Sequence, residues 1–244
     1  MVGVKRIASV SFGKDSLAML LRLLEERWPL DEVVFYDTGM EFRAIYETRD
    51  RVLPLLSERG VRYTELRPDY DFEWKMFDKP VNGRNGFHYG YSWCGGRCRW
   101  GTTDKIATVE KYARGSEEYV GIALDEQSRL EKERNGRKVF PLALWRMTEA
   151  DCLSYCYERG FEWKEDGGAG QIRLYDVLDR VSCWCCSNKN LKELRNMKRL
   201  LPDYWEKLKR LQERTDRPMK GAGKSVFELD KRFEKEFEHE KVRN

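Results

Sequence analysis

Apolar and polar positions alternate in blocks along the first half of the chain. Ile7 to Ser11 is a short apolar run, Leu17 to Glu26 carries apolar residues at helical spacing, and Glu32 to Tyr36 is apolar again. Phe42 to Glu58 is amphipathic and Val61 to Leu66 reads as extended. Short apolar runs separated by longer helical stretches predict a βαβαβ rhythm. Such a rhythm implies a parallel sheet with helices on both faces, where ligands lie beyond the carboxyl ends of the strands. Motifs that directly follow strands therefore gain weight.

Arg67 to Trp100 breaks the pattern: it is rich in aromatics, Asn and Gly, and Asn82-Gly83 and Asn85-Gly86 mark turns. It reads as a long excursion over the site. Thr102 to Tyr112 then predicts a helix, Glu118 to Ile122 a strand, and Asp125 to Lys138 a polar stretch. Thr148-Glu149-Ala150-Asp151 has the form of an N-cap opening a helix to Arg159, which Gly160 ends. Gly167-Gly168-Ala169-Gly170 is a loop, and the stretches Leu191 to Arg214 and Ser225 to Phe237 are amphipathic and highly charged. The expected fold is an α/β, doubly wound, mostly parallel sheet over residues 1–147, followed by a helical, cysteine-containing C-terminal subdomain over 148–244.

Composition narrows the function classes only slightly. The 244 residues can bury a real core, and no apolar run approaches the ~18 residues of a membrane span. Met1 to Arg6 runs into the first apolar stretch without a secretion-signal pattern, so a cytoplasmic protein without a membrane partner is expected. Lys plus Arg number 46 against 42 Asp plus Glu, a net charge of +4 that is compatible with an anionic ligand but does not by itself imply nucleic acid. Seven cysteines in such a compartment point to metal ligands, catalytic thiols or core residues before disulfides.

The loop Ser11-Phe12-Gly13-Lys14-Asp15-Ser16 lies where a strand hands over to a helix. A glycine there allows a tight turn, so that loop and helix-start amides can converge on a phosphate. Ser11 and Ser16 add hydroxyl donors and Lys14 a cation, while Asp15 suits orienting the loop or a metal. An ordinary βα turn capped by Ser11 or Asp15 is the alternative. Gly221-Ala222-Gly223-Lys224-Ser225 looks like the end of a second kind of phosphate loop, but Pro218 stands where its first glycine belongs and no strand precedes it. It is read as a loop capping the last helix.

The first loop resembles the S-x-G-x-D-S PP-loop of adenine-nucleotide α-hydrolase proteins, and further stretches match the PAPS reductase-like family in order. Tyr36-Asp37-Thr38-Gly39-Met40-Glu41-Phe42 resembles its DTG motif, Gly121 to Arg129 its G-x-x-x-x-E-x-S-R element, and Phe140-Pro141-Leu142 with Trp145 its P-L-x-x-W stretch. The resemblance implies an adenine nucleotide, ATP with Mg2+, held by Ser11, Phe12, Gly13, Lys14, Asp15 and Ser16, with Asp37, Thr38, Gly39 and Gly121 lining the cleft. Arg129 would neutralise phosphate charge, and Lys14, Asp15 and Arg129 form the catalytic set. Relatives of this kind cleave ATP to AMP and pyrophosphate, adenylate an acceptor, and pass on sulfur from a cysteine desulfurase to a nucleic acid or small molecule. Sulfonucleotide reductases resembling the family carry a late cysteine nucleophile, and no cysteine follows Cys186. That demotes a PAPS or APS reductase to an alternative, beside a non-catalytic nucleotide-binding subunit.

Cys94 and Cys98 bracket small flexible residues, and Cys183, Cys185 and Cys186 crowd a four-residue stretch. Four of these five thiolates suffice for a 4Fe-4S cluster or for tetrahedral Zn2+, and the CxxxC and CxCC spacings do not choose between them. Resemblance to cluster-bearing relatives, with one cysteine pair after the DTG motif and another far downstream, favours the cluster. Cys152 and Cys156, four apart in a predicted helix, read as small core hydrophobes. Arg84, His88, Tyr89, Tyr91, Trp93, Arg97, Arg99 and Trp100 interleave cations with rings, a pattern suited to single-stranded nucleic acid or to lining a metal site. Lys189, Lys192, Arg195, Lys198 and Arg199 form a basic run on a predicted helix.

Overall fold

The computed structural model describes residues 3–83, 86–93, 98–132 and 136–243. Its chain divides into two compact units: residues 1–37, 41–67 and 105–163 form the first, and 38–40, 68–104 and 164–244 the second.

In the first unit the expected rhythm is present as β1 (Arg6–Ser9), α1 (Lys14–Glu25), β2 (Glu32–Tyr36), α2 (Arg43–Glu58) and β3 (Arg62–Leu66). All of β2 is buried, matching its unbroken apolar run. Among the described residues, β1 to β3 join two later strands in a parallel five-stranded sheet. The later strands are β6 (Glu117–Val120) and β7 (Lys138–Val139), and the order is β3-β2-β1-β6-β7. The chain winds outward from β1 in one direction through β2 and β3, and in the other through β6 and β7. The carboxyl ends of β1 and β6 therefore flank the point where strand order reverses, the place where open α/β sheets bind ligands.

The excursion from Pro68 to Asp104 belongs to the second unit. It contains a single π-helical turn at Trp74–Asp78 and an antiparallel hairpin of β4 (Pro80–Gly83) and β5 (Gly86–Tyr89), paired Val81 to His88 and Asn82 to Phe87. The two Asn-Gly signals thus fall at the ends of paired strands, and residues 84–85 lie outside the described residues. The helix expected from Thr102 starts later: a π-helical turn covers Arg99–Asp104 and α3 covers Lys105–Tyr112. The polar stretch after β6 holds α4 (Gln127–Lys132) and ends in β7, neither of which its composition announced.

Beyond these come α5 (Pro141–Leu144) and α6 (Glu149–Glu158). Thr148 and Asp151 form a reciprocal capping box at the start of α6, and Gly160, at φ 77°, follows its end. In the second unit the Gly-rich loop joins a short hairpin, β8 (Lys164–Asp166) with β9 (Gln171–Arg173), and α7 (Leu174–Val177) follows. The amphipathic stretch from Leu191 is two helices, α8 (Leu191–Leu200) and α9 (Pro202–Glu213). Leu201 leaves the helical region at φ −133° because the proline after it disfavours that conformation, while Pro202 suits the first position of α9. α10 (Val226–Arg243) is opened by Ser225, whose amide donates to the Glu228 carboxylate at 2.8 Å. The Gly221–Ser225 decoy is thus the cap it was read to be.

Candidate functional site

Phe12 and Gly13 turn the chain from β1 into α1. Phe12 sits at φ 56°, a left-handed conformation that costs a bulky residue energy and needs outside support. That support is visible. The Phe12 ring is fully buried, edge-on to Phe35 with centroids 5.2 Å apart, and the Trp163 Nε1 donates to the Phe12 carbonyl at 2.7 Å. Phe12 therefore contributes backbone to the loop and ring to the core. Ser16 Oγ lies 3.0 Å from Ser11 Oγ, accepts from the Ser11 amide at 3.1 Å and donates to the Gly13 carbonyl at 3.1 Å. The two serines thus close the loop over the first turn of α1, where amides point outward and the helix dipole favours an anion.

Gly121, directly after β6, is held close to this turn. A Cβ there would stand 2.8 Å from Ser16 Cα and 3.0 Å from Ser16 N, so only glycine lets the end of β6 lie on the loop backbone. Here the G-x-x-x-x-E-x-S-R element has a steric reason for its first residue.

Lys14 is 8% exposed, and its ammonium bonds Asp15 Oδ1 at 2.8 Å and Glu149 Oε2 at 2.5 Å. Burial alone would push the ammonium down, but the Asp15 and Glu149 carboxylates override it and hold its pKa above the ordinary lysine value. Asp15 is shifted up: burial disfavours its charge, Lys14 opposes this, and Glu149 and Glu126 repel it. Glu149 is positioned by its own amide, which donates to Asp125 Oδ1 at 3.0 Å. Arg129, half exposed on α4, is held by both carboxylate oxygens of Glu126 at 2.6 and 2.7 Å. Glu126 and Glu149 were not singled out from the sequence, Glu149 because a carboxylate after a capping threonine reads as helix-dipole chemistry. Trp163 was missed because only the fold brings its indole to the loop.

Asp37 ends β2 in the same unit. It is nearly buried, accepts from Tyr46 Oη at 2.7 Å, and has Arg67 Nε 3.6 Å from Oδ2. Burial and the hydrogen bond to Asp37 both push the Tyr46 hydroxyl up, so it stays a donor. Gly39, at φ 71°, supplies the left-handed turn of the DTG motif.

Thr38 has a different set of partners. Its carbonyl accepts from Trp100 Nε1 at 3.1 Å, its hydroxyl lies 3.4 Å from Cys183 Sγ, and Trp184 N donates to the Met40 carbonyl at 3.0 Å. The Cys183 stretch is therefore docked on the DTG turn within the second unit. Cys98 Sγ accepts from the Gly101 amide at 3.4 Å, and a Cβ on Gly101 would stand 3.4 Å from Cys183 Sγ. Two cysteines with residues 99–182 between them thus lie against the same glycine. Cys185 is buried, Cys186 is half-buried, and Cys94 lies outside the described residues. Among the described residues, no three His, Cys, Asp or Glu side chains come together tightly enough to hold a metal ion. The donor chemistry suits a thiolate-bound centre, since Cys98 and Cys183 each lie against Gly101 and the docked stretch carries two further thiols, Cys185 and Cys186. Lys189 is buried beside this stretch, its Nζ 3.4 Å from the Arg180 carbonyl. Burial lowers its pKa, and Cys186, Glu193, Cys183 and Cys185 draw it back up.

Cys152 and Cys156 are fully buried in α6, and Cys156 Sγ reaches the Lys14 carbonyl at 3.4 Å. Burial pushes both thiols up, Cys156 to about 12, so they serve as core residues under the phosphate loop. No helix among the described residues is long and apolar enough to cross a membrane.

Residues 5–85 match the phosphoadenosine phosphosulfate reductase domain. An uncharacterized protein of Methanocaldococcus jannaschii, MJ0066, is 27% identical over 223 residues, 84% of this chain and 41% of its own length. The chain therefore spans about two fifths of that relative. Among solved structures, the U34-tRNA thiolase NcsA from Methanococcus maripaludis, with its 4Fe-4S cluster, is similar over 97% of this chain and 73% of its own, at 14% identity and a TM-score of 0.43. The loop after β1, the DTG turn after β2 and the matched residues between Lys5 and Asn85 make the first third of this chain similar to the phosphoadenosine phosphosulfate reductase domain.

Proposed function

We propose that this chain binds ATP on the Ser11–Ser16 loop, cleaves it to AMP and pyrophosphate, and activates an acceptor by adenylation for sulfur transfer. The observation that carries the reading is the loop itself. Two serine hydroxyls, the first-turn amides of α1 and the close-packed Gly121 converge where strand order reverses. In the reaction an acceptor oxygen attacks the α-phosphorus, the α–β bridging bond breaks, and pyrophosphate leaves with the electron pair. The outer sulfur of a persulfide from a cysteine desulfurase, the proposed donor, then attacks the activated acceptor and displaces AMP, and a second thiol cleaves the resulting acceptor–S–S–cysteine disulfide, supplying the two electrons and leaving the sulfur on the acceptor.

The protein's share is positioning and charge. Ser11 and Ser16 hold phosphate oxygens, and Asp15, paired with Lys14 in the ligand-free protein, is placed to help hold a cation beside them. Mg2+ would be that cation and would offset the negative charge of the phosphates. Lys14 and Arg129, now held by Glu149 and Glu126, turn to the developing negative charge. Asp37, directly after β2, lines the nucleoside side of the cleft. Four of Cys94, Cys98, Cys183, Cys185 and Cys186 would hold a 4Fe-4S cluster, or Zn2+ as the alternative, giving a sulfur-handling centre in the first case and a structural clamp in the second.

Incubation with α-labelled ATP and Mg2+ tests the reading: AMP and pyrophosphate should form with wild type and not with Asp15→Ala. ADP as the product would contradict it. Sulfite released from PAPS with thioredoxin would replace it with reductase chemistry.

A further inference from the structure

The hairpin β4–β5 carries rings where a soluble domain ordinarily keeps polar groups. Phe87 and Tyr89 are 62% and 65% exposed, lie on one face of β5 two residues apart, and pack edge-to-face with centroids 5.1 Å apart. Neither ring contributes to a core, and a two-stranded ribbon gains little stability from them. Beside the hairpin root, Tyr70, 59% exposed, stacks on Trp74 at 4.2 Å with planes 24° apart.

The hairpin is held rigidly for an element so exposed. Gly90, at φ 66°, lets its end pass over the π-helical turn, where a Cβ would stand 1.9 Å from the Met76 carbonyl oxygen. Gly90 N donates to Lys79 O at 2.7 Å and Ser92 N to Met76 O at 2.8 Å. A platform fixed in this way loses little entropy when it stacks a ligand.

The charges around the rings are mixed. Arg214 is shared between Glu73 and Asp78, Lys75 pairs with Asp104, and Asp71 accepts from the Trp74 amide, so the carboxylates here are engaged by partners within the protein. Lys79 lies 5.9 Å from the Trp74 ring and 5.6 Å from Tyr91, and Arg99 lies 5.8 Å from Tyr91. Among the described residues neither Lys79 nor Arg99 has a carboxylate partner. Exposed rings in pairs, with two cations near Trp74 and Tyr91 that have no carboxylate partner among the described residues, match a strand of unpaired bases on a phosphate backbone, each base offering a π-face and each phosphate a charge.

We propose that Phe87, Tyr89, Tyr70 and Trp74, with Lys79 and Arg99, form a stacking platform for single-stranded nucleic acid. The inference deepens the proposed function by naming its acceptor class, yet it stands on surface geometry that the phosphate loop does not share.

Fluorescence anisotropy with labelled 12-nucleotide oligo(U) and oligo(dT), and with the corresponding duplexes, tests it. Wild type should bind at least one single strand more tightly than its duplex. Phe87→Ala/Tyr89→Ala should weaken that binding roughly ten- to hundredfold. Lys79→Gln/Arg99→Gln should reduce the slope of log affinity against log salt by about 1.4, the share of two phosphate contacts. Both double variants, which replace no core side chain, should keep wild-type melting and wild-type ATP affinity. Absence of binding to either strand, equal binding of duplex, or undiminished binding by the ring variant would overturn the platform. So would sedimentation showing a wild-type dimer that the ring variant abolishes, because a second copy would then occupy the rings. Strand binding without ATP binding would refute the phosphate-loop reading and leave this one intact, and the converse would refute only this one.

Discussion

Ser11 to Ser16 reach their positions through a single βα turn, whereas the cysteines come from two stretches with residues 99–182 between them. In the first region, neighbours in sequence are neighbours in space: Ser11 and Ser16 touch, and Lys14 bonds Asp15. The second depends on tertiary docking, with Trp184 bonded to Met40 and Cys183 set against Thr38 and Gly101. A site made of one turn is fixed by local backbone geometry and tolerates little change there. One assembled from distant segments is fixed by packing, so it should respond to its ligands and to the indoles that hold them.

The largest expected effect separates the two regions. Cys98→Ala/Cys183→Ala should remove bound iron or zinc altogether, read by metal and sulfide analysis after anaerobic purification, while nucleotide affinity stays within about twofold of wild type. Metal content unchanged by the double variant would break the proposed thiolate centre. A parallel fall in ATP affinity would show that the two regions do not act independently.

Gly121→Ala comes next. Its Cβ would meet Ser16 backbone at 2.8 Å, so the loop must shift; overpacking of this kind costs ~1–3 kcal/mol. Both melting temperature and nucleotide affinity should drop, and unchanged affinity would mean the loop is not where phosphate binds. Arg129→Ala should lower turnover more than ATP affinity, since its guanidinium is half exposed and paired to Glu126 until charge develops on the phosphates. Equal losses in both would assign it to ground-state binding.

A smaller effect follows from the pKa of Asp15. Its folded value lies above the unfolded 3.8, so the folded state binds the proton more tightly, and the contribution is present at low pH and lost as pH rises through the folded value. Relative to Asp15→Asn, ligand-free wild type should therefore lose stability as pH climbs from 3.8 through that window and then stay at a constant difference. Chemical denaturation at a series of pH values measures this, and a difference that runs the opposite way would contradict the burial of that carboxylate. Smallest of all, Trp163→Phe removes one hydrogen bond to the strained Phe12 carbonyl, a loss of about 1 kcal/mol in unfolding free energy.

Legibility in the sequence followed the same division. The strands β1 to β3 and helices α1 and α2 fell within a few residues of their hydrophobic blocks, because each block has one period and buries one face. The phosphate loop was readable for the same reason, being a contiguous turn with a required glycine. Local pattern did not reveal α4 or β7, since a polar surface helix and a two-residue edge strand carry almost no hydrophobic signal. Nor did it reveal that Glu149 and Trp163 complete the loop, because both come from segments after the sheet. Thr38 shows the limit most clearly. In sequence it belongs to the nucleotide motif, yet its hydroxyl lies on Cys183 and its carbonyl on Trp100. The chain passes from one unit to the other right after Asp37, and no local period records that change.

The most direct test of the nucleotide-loop claim is calorimetric titration of ligand-free protein with an ATP analogue resistant to α–β cleavage, in Mg2+, for wild type and Ser11→Ala/Ser16→Ala. The account predicts one nucleotide bound per wild-type chain. In the double variant, affinity should fall roughly tenfold or more for two lost hydrogen bonds to a charged ligand, and melting temperature should also drop because the hydrogen bonds that close the loop are lost. Wild-type affinity in that variant would contradict it.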